Sequence, residues 1–418
     1  MSETAKIYAF PSEDIVNAFL NMTSTDDTPD LFRKWSAITL VSGALERRVW
    51  TAVGFRAGQP RYTYPNLYTF LVGAPGVGKY TVEDVLDIWM ETNEPGTSVS
   101  AFHVSPSNMT KASMMDRLSK SFKSFLPPQG PPYEFHCMLV AAEEFGVFLP
   151  AYDLDFIGVL NKVYNAPNIY TEERRFGPAR ELEIHKPIMT ILGGVQPAWM
   201  SSVFPEEAWG MGLTSRIIMV YAGSGEPSNP FNEGTERPVE RVRLLEKLGK
   251  LSQLYGRLEW SDEASKRVIQ WHMSGSPPAP THSKLEHYCR RRTLHLIKLS
   301  MISSVSRTTR VGMIDLIDVE RGLEWLLEVE KSMPDAFRSM MGRSDHQVIE
   351  ELYNHLVALY NIARQEPIHE SRLYTFLQQR IPSDKIWRIM DVAERSGYIS
   401  RVAGTENYLP KPRPEFAE

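Results

Sequence analysis

A run of glycines closed by a lysine is the first feature of this sequence that could do chemistry. Gly73-Ala74-Pro75-Gly76-Val77-Gly78-Lys79 fits the spacing G-x-x-x-x-G-K. Glycines let the backbone curl so that successive N–H groups point inward at phosphate oxygens. A helix starting there adds its own N–H groups and the positive end of its dipole. The expected cradle runs through Gly73, Pro75, Gly76, Val77 and Gly78 to Lys79, Tyr80 and Thr81, with Lys79 on the β- and γ-phosphates. The alternative is a glycine-rich turn with no ligand. The pattern normally ends in a Ser or Thr whose hydroxyl binds Mg²⁺, and here Tyr80 holds that place. A phenol oxygen lies beyond the reach of a short hydroxyl, and Thr81 points about 100° around the helix. Nucleotide binding therefore follows from the motif more directly than fast hydrolysis does.

Carboxylates, an amide and arginines complete the set. The apolar run CMLVAAEEFG ends in Glu143-Glu144, the pattern by which a strand end holds Mg²⁺ and orients an attacking water. Glu143 is assigned to the metal, through water, and Glu144 to water polarisation; a solvated acidic strand end is the alternative. A third strand signal leads into Gly193-Gly194-Val195-Gln196, where the Gln196 amide would lie between the loop and the carboxylates. Arg216 stands immediately before the apolar run IIMVY. A guanidinium forks onto phosphate oxygens, although an isolated arginine more often forms a salt bridge. Arg292 opens an apolar helical stripe of Leu294, Ile297, Met301 and Val305.

These residues need a scaffold. Strand signals at Leu67–Val72, Val99–Val104, Phe135–Ala142, Ile188–Leu192 and Ile217–Tyr221 alternate with helical segments, which predicts an α/β chain with a parallel sheet. Ahead of them, Pro29–Trp50 reads as one amphipathic helix closed by Arg47 and Arg48, and Gly54–Tyr64 as a linker. Behind them, Gly223–Pro238 reads as a boundary loop, and Val239–Met340 is helical apart from Ser274–Pro280. The predicted division is 1–60 for an N-terminal helical segment and linker, 61–238 for the core, 239–340 for a helical lid and 341–418 for a small terminal module.

Composition excludes several classes. At 418 residues, 42% hydrophobic and 23% charged, the chain is neither disordered nor fibrous, and no apolar run reaches membrane-spanning length. A net charge of -5 excludes a wholly basic coat but not a local basic surface. Cys137 and Cys289 lack the paired ligand spacing of a zinc site and fit a reducing compartment. The start MSETAKIYAFPSED has no basic region followed by an apolar core, so the expected location is cytoplasmic.

Two segments suggest nucleic-acid contact. Ile169–Arg175 and Arg180–His185 flank Phe176-Gly177-Pro178 and read as a hairpin. Arg174, Arg175, Arg180 and Lys186 could meet phosphates with Phe176 stacking on a base, or the arginines could pair with Glu172, Glu173, Glu181 and Glu183. In the terminal module, helices over Val348–Arg364, Glu370–Gln379 and Asp384–Arg395 precede a strand, an Ala403-Gly404 turn and a second strand. That is the order of a winged helix. On duplex DNA its third helix would use Lys385, Trp387 or Arg388 in the major groove, with Arg401 on the wing; a protein-contact role is the alternative.

In order, these motifs resemble the AAA+ ATPase module. TILGGVQP (Thr190–Pro197) is similar to the sensor-one strand of the minichromosome-maintenance helicases, with Gln for their Asn. LTSRIIMVY (Leu213–Tyr221) is similar to their arginine-finger segment and points to Arg216. RTLHLIKLS (Arg292–Ser300) is similar to their sensor-two helix and points to Arg292. The layout of FRKWSAITLVSGALERRVW ahead of YPNLYTFLVGAPGVGK resembles a phage and prophage family described as primases or helicases, over roughly residues 30–330. Tyr80 and Glu143, in place of the usual Walker B Asp, depart from both families. The resemblance implies an AAA+ P-loop core with a helical lid and winged helix, using ATP and Mg²⁺. It also implies a homo-oligomeric ring, commonly a hexamer, in which Arg216 completes a neighbour's site. The expected function is a DNA motor of the phage replicative-helicase type, acting with replication proteins in the host cytoplasm. A DNA-binding helicase loader or scaffold with slow turnover is the alternative.

Overall fold

The computed structural model describes residues 14–106, 110–127, 130–148, 154–173, 181–197, 199–200, 212–225, 238–340, 345–378, 381 and 383–411. The chain is a mixed α/β protein in two compact units, one running to Met340 and the other from Met341.

The first unit is built on a five-stranded sheet: β1 (Tyr68–Val72), β2 (Phe122–Phe125), β3 (Tyr133–Ala142), β4 (Pro187–Val195) and β5 (Ile217–Tyr221), in spatial order 2-3-4-1-5. Four strands are parallel, and β2 runs antiparallel along the start of β3. β1 is buried at every position and β5 at all but its last, because continuous apolar runs such as YTFLV suit strands covered on both faces. The register aligns Val72 with Val195 and Ala142 with Gly193, so β1, β3 and β4 end along one edge.

Three elements differ from the sequence reading. No strand forms over Val99–Val104: the segment makes a single parallel rung, Val104 to Leu139, and β2 continues that edge. The first long helix spans Asp30–Leu45 and stops where Glu46 takes a left-handed φ of 48°, so Arg47 and Arg48 lie beyond it. It is buried nearly all round rather than amphipathic. Thr39 bonds the Thr69 hydroxyl at 2.8 Å, and a Cβ on Gly43 would come within 2.5 Å of the Trp89 ring. Finally, the segment read as a linker is a hairpin, Val49–Arg56 paired with Gln59–Thr63, turning at Ala57-Gly58 where both φ angles are positive.

Helices at Arg292–Thr308 and Leu316–Met340 share one hydrophobic core with the sheet and the Asp30–Leu45 helix. The second unit has helices at Asp345–Ile362, Glu370–Gln378 and Ser383–Arg395. Its three short antiparallel strands lie in the order Ile368–His369, Asn407–Pro410, Ile399–Arg401. Ile349, Leu352, Leu356, Leu373, Ile386 and Ile389 form its own core.

Candidate nucleotide site

The glycine-rich loop leaves the end of β1 and enters the helix Thr81–Glu91. Gly76 (φ 79°) and Gly78 (φ 82°) supply the left-handed turns that a curled, N–H-inward loop needs. The turn Asp26–Thr28 packs on this loop: a Cβ at Gly78 would lie 2.9 Å from the Thr28 Cα, and one at Gly225 2.9 Å from the Asp27 carbonyl. Lys79 is buried, and its Nζ donates to the Gly73 and Ala74 carbonyls at 3.0 and 2.8 Å. Burial pulls the Lys79 pKa below its ordinary value, while Glu143 and Glu144 oppose that shift. The loop is thus closed on itself by a cation whose two carbonyl bonds a phosphate would replace.

Tyr80 does not point where a metal-binding hydroxyl would. Its hydroxyl donates to Asp27, and its pKa is pushed up to about 12 by burial and by that bond. Thr81 is buried, and its hydroxyl has no partner among the described residues. Lys79 and the two glycine turns are the residues that could hold a phosphate, whereas the direct hydroxyl ligand expected for Mg²⁺ is absent from position 80.

Glu143 and Glu144 follow β3 directly and are exposed. Burial, Glu83 and Glu144 raise the Glu143 pKa, against the pull of Lys79. Glu83, on the first turn of the helix after the loop, escaped the sequence reading: it lies seven residues past the Gly76 turn and no motif marks it. β4 lies between β1 and β3, which brings Gln196 to the same edge as the loop and the carboxylates. Gly194 is required there, because a Cβ would overlap the Glu143 carbonyl oxygen.

Arg216 lies at the opposite edge. Ile217 pairs with Tyr68, the first residue of β1, so the length of β1, about 17 Å for five residues at a rise of ~3.3 Å, separates Arg216 from the loop. The side chain is buried, with Nη1 bonded to the Gly212 carbonyl at 2.6 Å, Nε without a partner among the described residues and the guanidinium 5.9 Å from the Tyr164 ring centre. Burial and then Arg291 lower its pKa to about 10.

No family model matches this chain, and no curated protein matches it.

Arg292 is engaged inside the first unit. Its side chain is 1% exposed and bonds both Glu330 oxygens, at 2.7 and 2.6 Å, together with the Ser276 and Pro278 carbonyls. Four of its five N–H groups are committed inside the core, an arrangement that favours a structural role over contact with a nucleotide.

Arg174, Arg175 and Arg180 lie outside the described residues. The arms of their hairpin do pair, Ile169 with His185 through Glu173 with Glu181. Glu172 meets Lys111 at 3.7 Å and Glu183 meets His185 at 2.7 Å. Lys186 sits at the hairpin base with φ 47°, its Nζ 4.3 Å from the Tyr133 ring centre. In the second unit Lys385, Trp387 and Arg388 are exposed on the Ser383–Arg395 helix, opposite its buried Ile386, Ile389 and Met390. Arg401 bonds the Thr405 carbonyl at 3.0 Å and lies 3.9 Å from Glu370, tied to its own turn.

Proposed function

We propose that this chain is an ATP-driven, ring-forming motor on DNA, a replicative helicase of the phage type with an AAA+ core and a C-terminal winged helix. The observation that carries the reading is the arrangement across the sheet. The loop with Lys79, the Glu143-Glu144 pair and Gln196 share the edge where β1, β3 and β4 end, and Arg216 lies at the other edge. One edge supplies phosphate ligands, a carboxylate to polarise water and an amide between them. The other offers a guanidinium that cannot serve its own loop. An arginine supplied in trans stabilises charge on the transferred phosphoryl group and ties turnover to subunit contact. Mg²⁺, when bound, would neutralise phosphate charge, with Glu143 positioned to hold it through water. The exposed Lys385, Trp387 and Arg388 support DNA contact by the second unit.

One observation favours a slower relative of this function. The Tyr80 hydroxyl is given to Asp27, which leaves the usual metal ligand missing. On that reading ATP organises a loader or scaffold ring on DNA and turns over slowly.

Subunit mixing tests the shared site. Lys79→Ala should abolish ATP binding, and Arg216→Ala should bind ATP but hydrolyse it about 10³–10⁵-fold more slowly, the range of arginine fingers. A mixture of the two inactive proteins should regain hydrolysis, because some interfaces then join an intact loop to an intact arginine. Mixed rings that assemble without regaining activity would refute the shared site.

A further inference from the structure

Three buried arginines of the first unit are each matched with a carboxylate. Arg292 pairs with Glu330 at 2.6 Å, Arg48 with Glu46 at 2.9 Å and Arg321 with Asp14 at 2.6 Å, each carboxylate buried with its arginine. Such pairing is what burial of charge demands. A second set of cations gathers around a cavity without such pairing among the described residues. Behind the start of β1 lies a cavity of about 610 Å³ walled by Arg47, Arg61, Arg291, Lys298, Tyr64 and Tyr164, with no carboxylate among its described lining residues. A neighbouring hollow of about 490 Å³ shares Arg61 and Arg291 and adds His287 and Arg290.

Like charge crowds Lys298. Lys298 is 3% exposed, its Nζ bonded among the described residues to the Asn66 carbonyl and Oδ1, at 2.7 and 2.8 Å, and 4.0 Å from the Tyr164 ring centre. Burial holds its pKa well below the ordinary range, and Arg291 and Arg216 push it further down. Arg47 is spent as wall, bonded to the Pro167 and Pro187 carbonyls and to Asn168. Arg61, exposed at the rim, and Arg291, half-buried, remain to face a ligand. Positive charge focused in a concave, low-dielectric hollow attracts an anion.

We infer that this cavity is a second phosphate-binding site, distinct from the glycine-rich loop, which takes the phosphate groups of a nucleotide on Arg61 and Arg291. Guanidinium forks suit phosphate oxygens, and the volume is that of a small-ligand pocket. Tyr62, 54% exposed beside Arg61, offers a face for a base. An acidic peptide would find exposed lysines on an open face; here Lys298 and Arg47 lie at the back of an aromatic-walled hollow.

The test uses the full chain carrying Lys79→Ala, so that the loop does not bind the probes. Sodium triphosphate, ADP and oligothymidylates of increasing length are titrated into this protein and into the same protein with Arg61→Ala and Arg291→Ala added. Each lost arginine should weaken binding about tenfold, the loss expected for one charge-assisted hydrogen bond. Triphosphate and ADP binding without a length effect would identify a free nucleotide as the ligand, and affinity rising with oligothymidylate length would identify a strand; both support the site. The inference is overturned if no probe binds the Lys79→Ala protein, if the added substitutions change nothing, or if oligoglutamate binds as well as triphosphate. Arg61→Ala alone, at an exposed position, keeps the test valid should the double substitution unfold the protein. The effect of Lys79→Ala on ATP is a separate measurement, so failure of the loop reading is distinguishable from failure of this one.

Discussion

Replacing Arg292 with methionine separates a structural arginine from one that acts on nucleotide. Arg292 and Glu330 are 1% and 5% exposed and share two bonds, with Tyr288 donating to Glu330 at 3.0 Å and the Trp271 ring centre 5.0 Å from the guanidinium. Removing the guanidinium strands a buried carboxylate, a change that costs about 3–5 kcal/mol. Burial already raises the Glu330 pKa and Arg292 opposes that rise, so the substitution lets it rise further. An acid with a raised folded-state pKa loses stability as pH climbs above its unfolded value. The deficit of Arg292→Met should therefore be larger at pH 8 than at pH 6. Arg292→Met with Glu330→Leu removes both charges and should recover to within about 1 kcal/mol of the parent, since an apolar pair of similar volume replaces a buried ion pair at little cost. Urea denaturation followed by tryptophan fluorescence reads these differences, and ATP affinity and hydrolysis are measured on the same proteins. Nucleotide affinity should be unchanged. A methionine variant as stable as the parent but over a hundredfold slower in hydrolysis would refute the structural assignment.

Gly194→Ala should push the Glu143 backbone away, cost about 1–3 kcal/mol as overpacking does and abolish hydrolysis, whereas Gly158→Ala, with nothing within 4 Å, should leave both intact. Thermal unfolding and ATP turnover of the two variants decide this, and an active, stable Gly194→Ala protein would contradict the close packing at the sheet edge. His295 is fully buried, with Nε2 3.1 Å from the Ser215 carbonyl and a pKa lowered to about 3, chiefly by burial. A depressed folded-state value means stability that is present above the unfolded pKa near 6.5 and is lost as pH falls, by about 2 kcal/mol at pH 5. His295→Gln should shrink the loss of stability between pH 7 and pH 5 by that amount in urea titrations; an equal loss in both proteins would show that His295 is not held neutral.

The sequence carried its clearest information where one local rule sufficed. The apolar runs of β1 and β5, the glycine loop between strand and helix, and the alternating helices and strands are all short-range patterns. Long-range partners were invisible. Tyr80 meets Asp27 across 53 residues and Arg292 meets Glu330 across 38, and nothing in the motif around either residue specifies the other. Two errors came from conflicting local signals. The glycines and proline at 54–60 read as a linker, yet Gly54 and Gly58 supply the positive φ angles of a hairpin. The alternation at Val99–Val104 reads as a strand, but Val104 alone pairs in the sheet because β2 takes the rest of that edge. The cationic cavity is not legible in the sequence because Arg61, Arg291 and Lys298 belong to three separate segments, which only the fold gathers around a hollow with no carboxylate among its described lining residues.

The central claim, a nucleotide-driven motor on DNA, is tested most directly by strand separation on a forked duplex with the purified chain, ATP and Mg²⁺. The account predicts release of the labelled strand that requires ATP, stops with a non-hydrolysable analogue and is abolished by Lys79→Ala and by Glu144→Gln. ATP-dependent assembly on the fork without strand release, unchanged by Glu144→Gln, would contradict the motor and leave the loader reading in its place.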